Sequence, residues 1–198
     1  EGAPFPLERY LNASRTLSIE DYDWSQATRF PLSREIERVM VYMLRIEGQT
    51  LFWVRDILNT RSALIPEVSS FLTVWMYEEE RHSRLFRRFL RERGIELPRD
   101  DHARVRLASR AGIRERFEAV SSRWMARATE HFVAVHMIWG ATQELSTLHA
   151  YRRLGERCGH PFLRELCASI EKDERRHWAF YAAMAERYLA PRPAQVLT

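Results

Sequence analysis

Residues 170–181 read IEKDERRHWAFY, and residues 75–86 read WMYEEERHSRLF. In each stretch a Glu stands three positions before a His: Glu79 and His82, then Glu174 and His177. On an α-helix that spacing puts both side chains on one face. The rest of each face is apolar. Val68, Leu72, Trp75, Phe86 and Phe89 share the first, and Leu163, Cys167, Ile170, Tyr181, Met184 and Tyr188 share the second. Charged side chains in the middle of two apolar helical stripes decide how the whole chain is read.

Two more stripes carry a lone Glu. One runs Ile36, Met40, Met43, Glu47, Thr50, Val54, Ile57; the other runs Met137, Gly140, Glu144, Thr147 or Leu148, Tyr151. Glu47 precedes Glu79 by 32 residues and Glu144 precedes Glu174 by 30, as in a helical hairpin used twice. Ser33 as N-cap, Pro66 and Pro161 as first-turn residues and Gly94 as C-cap bound helices at about 33–59, 66–93, 119–155 and 161–189. Strand alternation is nearly absent. Residues 95–118, with Pro98, Asp100, Asp101 and Gly112, are long for a hairpin loop and suit a crossover with short helical pieces. A further helix is expected over 7–19. The expected fold class is therefore all-α: one domain over 1–198, a four-helix bundle with one long crossover plus short additional helices.

Four ionised carboxylates meeting in an apolar bundle would each cost several kcal/mol if unpaired and would repel one another. Two cations remove that problem. The expected metal ligands are Glu47, Glu79, His82, Glu144, Glu174 and His177. Glu79 and Glu174 bridge both ions, Glu47 and Glu144 are terminal, and each His serves one ion. One Glu from each of two helices, with Glu-x-x-His from each of the other two, is the arrangement of ferritin-like di-iron and di-manganese proteins. An oxygen-rich site with one imidazole per metal suits two iron ions, with manganese as the alternative, better than zinc. Asp173 is expected to orient a ligating histidine, and Arg81 and Arg176 to neutralise buried carboxylates. Glu78 and Glu80 are expected on solvated flanks, and His102, His131, His136, His149 and His160 as ordinary surface or core residues. Gly140 would remove bulk beside the metals. Phe71, Trp75, Met137 and Trp139 would line an apolar cavity there or simply pack the core.

Composition sets outer limits. Hydrophobic residues make up 45% of the 198, enough to bury a core without staples. The apolar run from Phe132 to Gly140 is interrupted by His136 and is too short to span a membrane. No signal-peptide pattern is visible. Cys158 and Cys167 form neither a disulfide framework nor a CxxC pair, so a reducing, cytoplasmic setting is expected. The net charge of +4 comes almost wholly from arginine. It fits an acidic partner such as a carrier protein, and no nucleic-acid motif accompanies it.

The motif WMYEEERH at 75–82, with Leu85 and Leu90 before Gly94, resembles the acyl-carrier-protein desaturases of the ferritin-like di-iron superfamily. So do Gln143-Glu144, Thr147, His149, Leu166-Cys167 and the run from Asp173 to His177, and the resemblance extends over about residues 36–188. It implies that Thr147, three residues after a terminal Glu, lines an oxygen-activation pocket and is catalytic. It also implies that Asp173 is held beside the metals. The implied activity is an O2-activating di-iron oxidoreductase of desaturase or hydroxylase type, with O2 as co-substrate and a largely apolar, acyl or carrier-protein-bound substrate. Its electrons would come from an external donor, a ferredoxin or reductase, since the chain has no flavin or iron–sulfur motif. The other reading is a ferritin- or rubrerythrin-like protein that handles iron or reduces peroxide. The superfamily's habit of pairing along its first helices implies a homodimer with Phe52 and Trp53 at the interface.

Overall fold

The computed structural model describes residues 5–14, 18–98 and 131–190. They form helices α1 (Leu7–Ala13), α2 (Arg34–Glu47), α3 (Thr50–Ile57), α4 (Pro66–Glu92), α5 (His131–Arg157) and α6 (Pro161–Leu189), with no strand among the described residues. The all-α expectation holds. The boundaries of α4 and α6 fall within one residue of those read from sequence. The expected start of the third long helix at 119, the crossover beyond Pro98 and His102 lie outside the described residues.

Local chemistry explains the ends. The Ser33 hydroxyl accepts from the Ile36 amide at 3.3 Å and caps α2. Pro66 and Pro161 occupy first-turn positions, where a missing N–H costs nothing. His160 caps α6: its Nδ1 accepts from the Leu163 amide at 3.3 Å, which leaves Nε2–H to donate to the Ala27 carbonyl at 3.1 Å. Helix α4 closes through Gly94 at φ 77°, with Gly94 N–H on Arg91 O and Ile95 N–H on Leu90 O, both at 2.9 Å. Ile95 then packs on the core. Gly94→Ala puts a Cβ into a left-handed turn and should cost about 1–2 kcal/mol, read as a lower denaturation midpoint with an unchanged slope.

Two elements differ from expectation. The single helix read over 33–59 is two helices, α2 and α3, joined at Gly48 and Gln49. Gly48 is a weak helix former, and here the backbone tightens to i→i+3 bonds: Gln49 N–H to Ile46 O at 3.0 Å and Phe52 N–H to Gln49 O at 2.9 Å. The helix expected over 7–19 stops at Ala13. Ser14 turns extended, and its hydroxyl donates to Glu78 at 2.8 Å. That tertiary bond has no signature in the local sequence.

Helix α2 packs along α4 and α5 along α6, while α4 and α6 meet across the middle. The core falls into two apolar halves. One gathers Met40, Met43, Leu44, Phe86, Phe89, Tyr151 and Ile170. The other gathers Val54, Phe71, Trp75, Met137, Phe180 and Tyr181. Helices α4, α5 and α6 each run from one half into the other, and buried charged residues lie at the crossing: Glu78, Glu79, Arg81 and His82 on α4, Glu144 on α5, and Asp173, Glu174 and His177 on α6, with Glu47 at the end of α2. No described helix is long and apolar enough to cross a membrane.

Candidate metal centre

The six residues read as ligands come together in the layer between the two apolar halves. They fall into two groups, Glu47, Glu79, His82 and Glu174, then Glu79, Glu144, Glu174 and His177. All are buried, and the offered atoms of each group lie within 4.8 Å of one another. Glu79 and Glu174 belong to both groups. His82 Nδ1 is 3.2 Å from Glu174 Oε1 and 3.7 Å from Glu47 Oε2. His177 Nδ1 is 3.2 Å from Glu79 Oε1 and 3.3 Å from Glu144 Oε2. Donors about 2.1 Å from one ion and at right angles to each other sit about 3 Å apart, so these spacings fit a shared cation.

The polar bookkeeping makes the same case. Glu47 Oε2, Glu79 Oε1, both Glu174 oxygens, and Nδ1 of His82 and His177 are buried without a hydrogen-bond partner among the described residues. Buried polar atoms are otherwise nearly always paired. Each histidine instead uses its far nitrogen: His82 Nε2 lies 3.1 Å from Asp173 Oδ2, and His177 Nε2 lies 2.8 Å from Glu78 Oε2. Donation from Nε2–H to a carboxylate leaves the Nδ1 lone pair facing the centre, the usual support of a metal-ligating imidazole.

This support is reciprocal. The acid just before the shared Glu on α6, Asp173, serves the histidine of α4, and the acid just before the shared Glu on α4, Glu78, serves the histidine of α6. Asp173 lies against the His82 ring. Glu78 is not on the solvated flank expected of it: it is 0% exposed, whereas Glu80 is exposed as expected. The signal was available, because Glu78 precedes its Glu-x-x-His as Asp173 does. Its burial depends on the α1 and α6 contacts, in which the Tyr10 and Ser14 hydroxyls and the Arg176 guanidinium all donate to it. Arg176 also donates to Asp173 Oδ1 at 2.7 Å, and Arg81 pairs with Asp173 Oδ2. Both arginines thus pair with buried carboxylates. Removing the acceptor in Glu78→Ala should weaken metal binding at the His177 group by about 10–100-fold, measurable by competition with a chelator.

Charge accounting is consistent with two divalent ions. Six carboxylates (Glu47, Glu78, Glu79, Glu144, Asp173, Glu174) and two guanidiniums (Arg81, Arg176) leave four negative charges if the histidines are neutral. Without cations, protons take their place. Burial, with Glu47 and Glu174 nearby, pushes Glu79 well above the carboxylate range. Burial, with Glu174 nearby, pushes Glu144 up to about 8 although His177 opposes it. Burial disfavours charge on His82, but Asp173, Glu174 and Glu47 outweigh it and hold that imidazole well above its usual value. His177 is raised in the same way, with Tyr10, Glu144, Glu174 and Glu78 prevailing over burial. Burial would raise Glu78 too, but the His177 and Arg176 contacts hold it down to about 2.

Other residues complete the surroundings. Tyr151 donates to Glu47 Oε1, which leaves Oε2 to face the centre. Thr50 donates to Glu79 Oε2 at 3.3 Å. Sequence reading put both on the right stripes but gave neither a role. Thr147 is half-buried one turn beyond Glu144, and its hydroxyl donates to the Gln143 carbonyl at 3.0 Å. The space above Gly140 is filled: an added Cβ would lie 2.3 Å from the Tyr181 ring. Phe71, Trp75 and Met137 are core, while Trp139 is 38% exposed and packs on Trp53 with ring centroids 5.1 Å apart. His131 and His149 are exposed, and His136 and His160 are buried.

A family model for fatty acid desaturases matches residues 64–198, more than half of the chain. The matched span includes five of the six clustered residues, and Glu47 precedes it. No curated protein and no solved structure matches the chain.

Proposed function

The chain belongs to the fatty acid desaturase family, and on that premise we propose that it is an O2-dependent oxidoreductase holding two iron ions in a ferritin-like bundle. In this reading Glu79 and Glu174 would be shared by both ions, Glu47 and His82 would help hold one, and Glu144 and His177 would help hold the other. The observation that carries it is the set of buried carboxylate and imidazole atoms that face one another with no hydrogen-bond partner among the described residues. Bound iron would supply the electrons that reduce O2 and the oxidising power that takes hydrogen from an unactivated C–H bond.

The chain's own residues do the rest. Asp173 and Glu78 hold the two imidazoles by Nε2, so that Nδ1 faces the centre. Tyr151 fixes Glu47 by one oxygen and leaves the other free. The two apolar halves keep water from the layer between them. Thr147 is the proposed catalytic hydroxyl, one turn from Glu144 on the same helix. The substrate is a largely apolar acyl chain, in keeping with the family. The net charge of +4 suits an acidic carrier or an acidic electron donor. Exposed Trp53 and half-buried Phe52 on α3 suit a homodimer contact.

The test is anaerobic loading with ferrous iron. About two irons per chain are expected, followed on O2 addition by a new visible absorbance band. Binding of zinc alone, with no O2 reaction after iron reconstitution, would remove the redox reading.

A further inference from the structure

Three polar side chains lie in the apolar half that contains α3 and the end of α6, and none takes part in the metal layer. Tyr181 (α6) stands one turn after His177, Trp75 (α4) one turn before Glu79, and His136 (α5) two turns before Glu144. They are 1%, 5% and 4% exposed. Their rings cluster: Tyr181 lies 5.9 Å from Trp75 and 5.8 Å from His136 between centroids, both edge-on. The Tyr181 hydroxyl, the Trp75 Nε1–H and both His136 nitrogens have no hydrogen-bond partner among the described residues. Four orphaned polar atoms around one ring, from three helices, form a larger defect than a folded core ordinarily keeps.

We propose that these residues form a subsite for a neutral oxygen function, a hydroxyl or carbonyl, carried by the substrate next to the Glu144 and His177 side of the centre. The donor inventory selects the class. Trp75 offers only a donor, Tyr181 a donor or acceptor, and neutral His136 one of each. Burial holds His136 down to about 4, so no positive charge is there to recognise an anion. Donors outnumber acceptors, which suits an oxygen with lone pairs. The position next to the ligands Glu144 and His177 places the recognised group close to the carbons that react. The proposal deepens the reading above and rests on it: the acyl chain would carry an oxygen function within the bundle. A permanently buried water offers the same chemistry and is the outcome to be separated from it.

The experiment uses the full chain loaded with redox-inactive zinc. Mid-chain hydroxyoctadecanoates and octadecanoate are compared by calorimetry, and the His136 side-chain nitrogens are followed by NMR. At least one hydroxy acid is expected to bind about tenfold or more tightly than octadecanoate and to shift the His136 signals. His136→Phe and Tyr181→Phe should each erase that preference while leaving octadecanoate affinity within about twofold. Both variants should also melt higher than the parent without ligand, because each removes an orphaned polar group. Equal affinities in the parent, with unmoved His136 signals, overturn the proposal in favour of a fixed water. If neither acid binds, the lipid reading falls, and cyclohexanol and methylcyclohexane decide the subsite. A His136-dependent preference for the alcohol upholds it, and no preference overturns it.

Discussion

Glu174→Ala should empty both metal positions, whereas Glu47→Ala should empty only one. Glu174 and Glu79 belong to both ligand groups, while Glu47 touches only the group of His82. Losing a terminal carboxylate leaves one complete group behind. Losing a shared one would remove a donor from each proposed ion position. The expected metal content is about two per chain in the parent, about one in Glu47→Ala and Glu144→Ala, and near zero in Glu174→Ala and Glu79→Ala. Stability should follow occupancy. At free metal about 1,000-fold above its Kd, binding to the native state alone adds about 4 kcal/mol per ion, so the parent should gain far more on loading than Glu174→Ala. Metal analysis with melting curves of loaded and stripped protein reads both. Two ions retained in Glu174→Ala, or two lost in Glu47→Ala, would show that the shared and terminal roles are misassigned.

The second large effect is a pair of opposite pH slopes. In the stripped protein, Glu144 is raised from 4.5 to about 8. Its contribution to stability is therefore fully present below about 4.5 and is lost as pH rises through about 8. Glu79, His82 and His177 are also raised and act in the same direction. Glu78 and Asp173 are depressed, so their contributions are kept above the ordinary carboxylate range and are lost only in strong acid. The stripped protein should thus be most stable in mild acid, and its melting temperature should fall between about pH 4.5 and about 8. Metal binding displaces the protons on Glu79, Glu144, His82 and His177, so the gain on loading should grow over the same interval. Calorimetry in buffers of different ionisation enthalpy should register the released protons. A stripped protein that grows more stable from mild acid to pH 8 would contradict the proton-filled centre described above.

Much of this was legible before any coordinates. Glu79 with His82 and Glu174 with His177 announce themselves because a three-residue spacing fixes a helix face and the rest of that face is apolar. Glu47 and Glu144 follow by the same rule. Pro66, Pro161 and Gly94 mark helix ends through backbone constraints that act within a few residues. Glu78 was misplaced because periodicity tells which residues share a face, not how wide the buried face is. Its burial is set by α1, by Arg176 and by His177, which come from 64 or more positions away.

The amino-acid sequence by itself determined the all-helical class, the inward faces and the six ligand candidates, since all of these depend on intrahelical spacing and on the high cost of burying an unpaired charge. Tertiary structure alone decided which acid supports which histidine, that Tyr151 ties down Glu47, and that Tyr181 fills the space over Gly140. Those outcomes depend on the rotation and distance of helices far apart in the chain. No local rule encodes them, and only the packing of α4 against α6 brings the reciprocal pairs within hydrogen-bond reach.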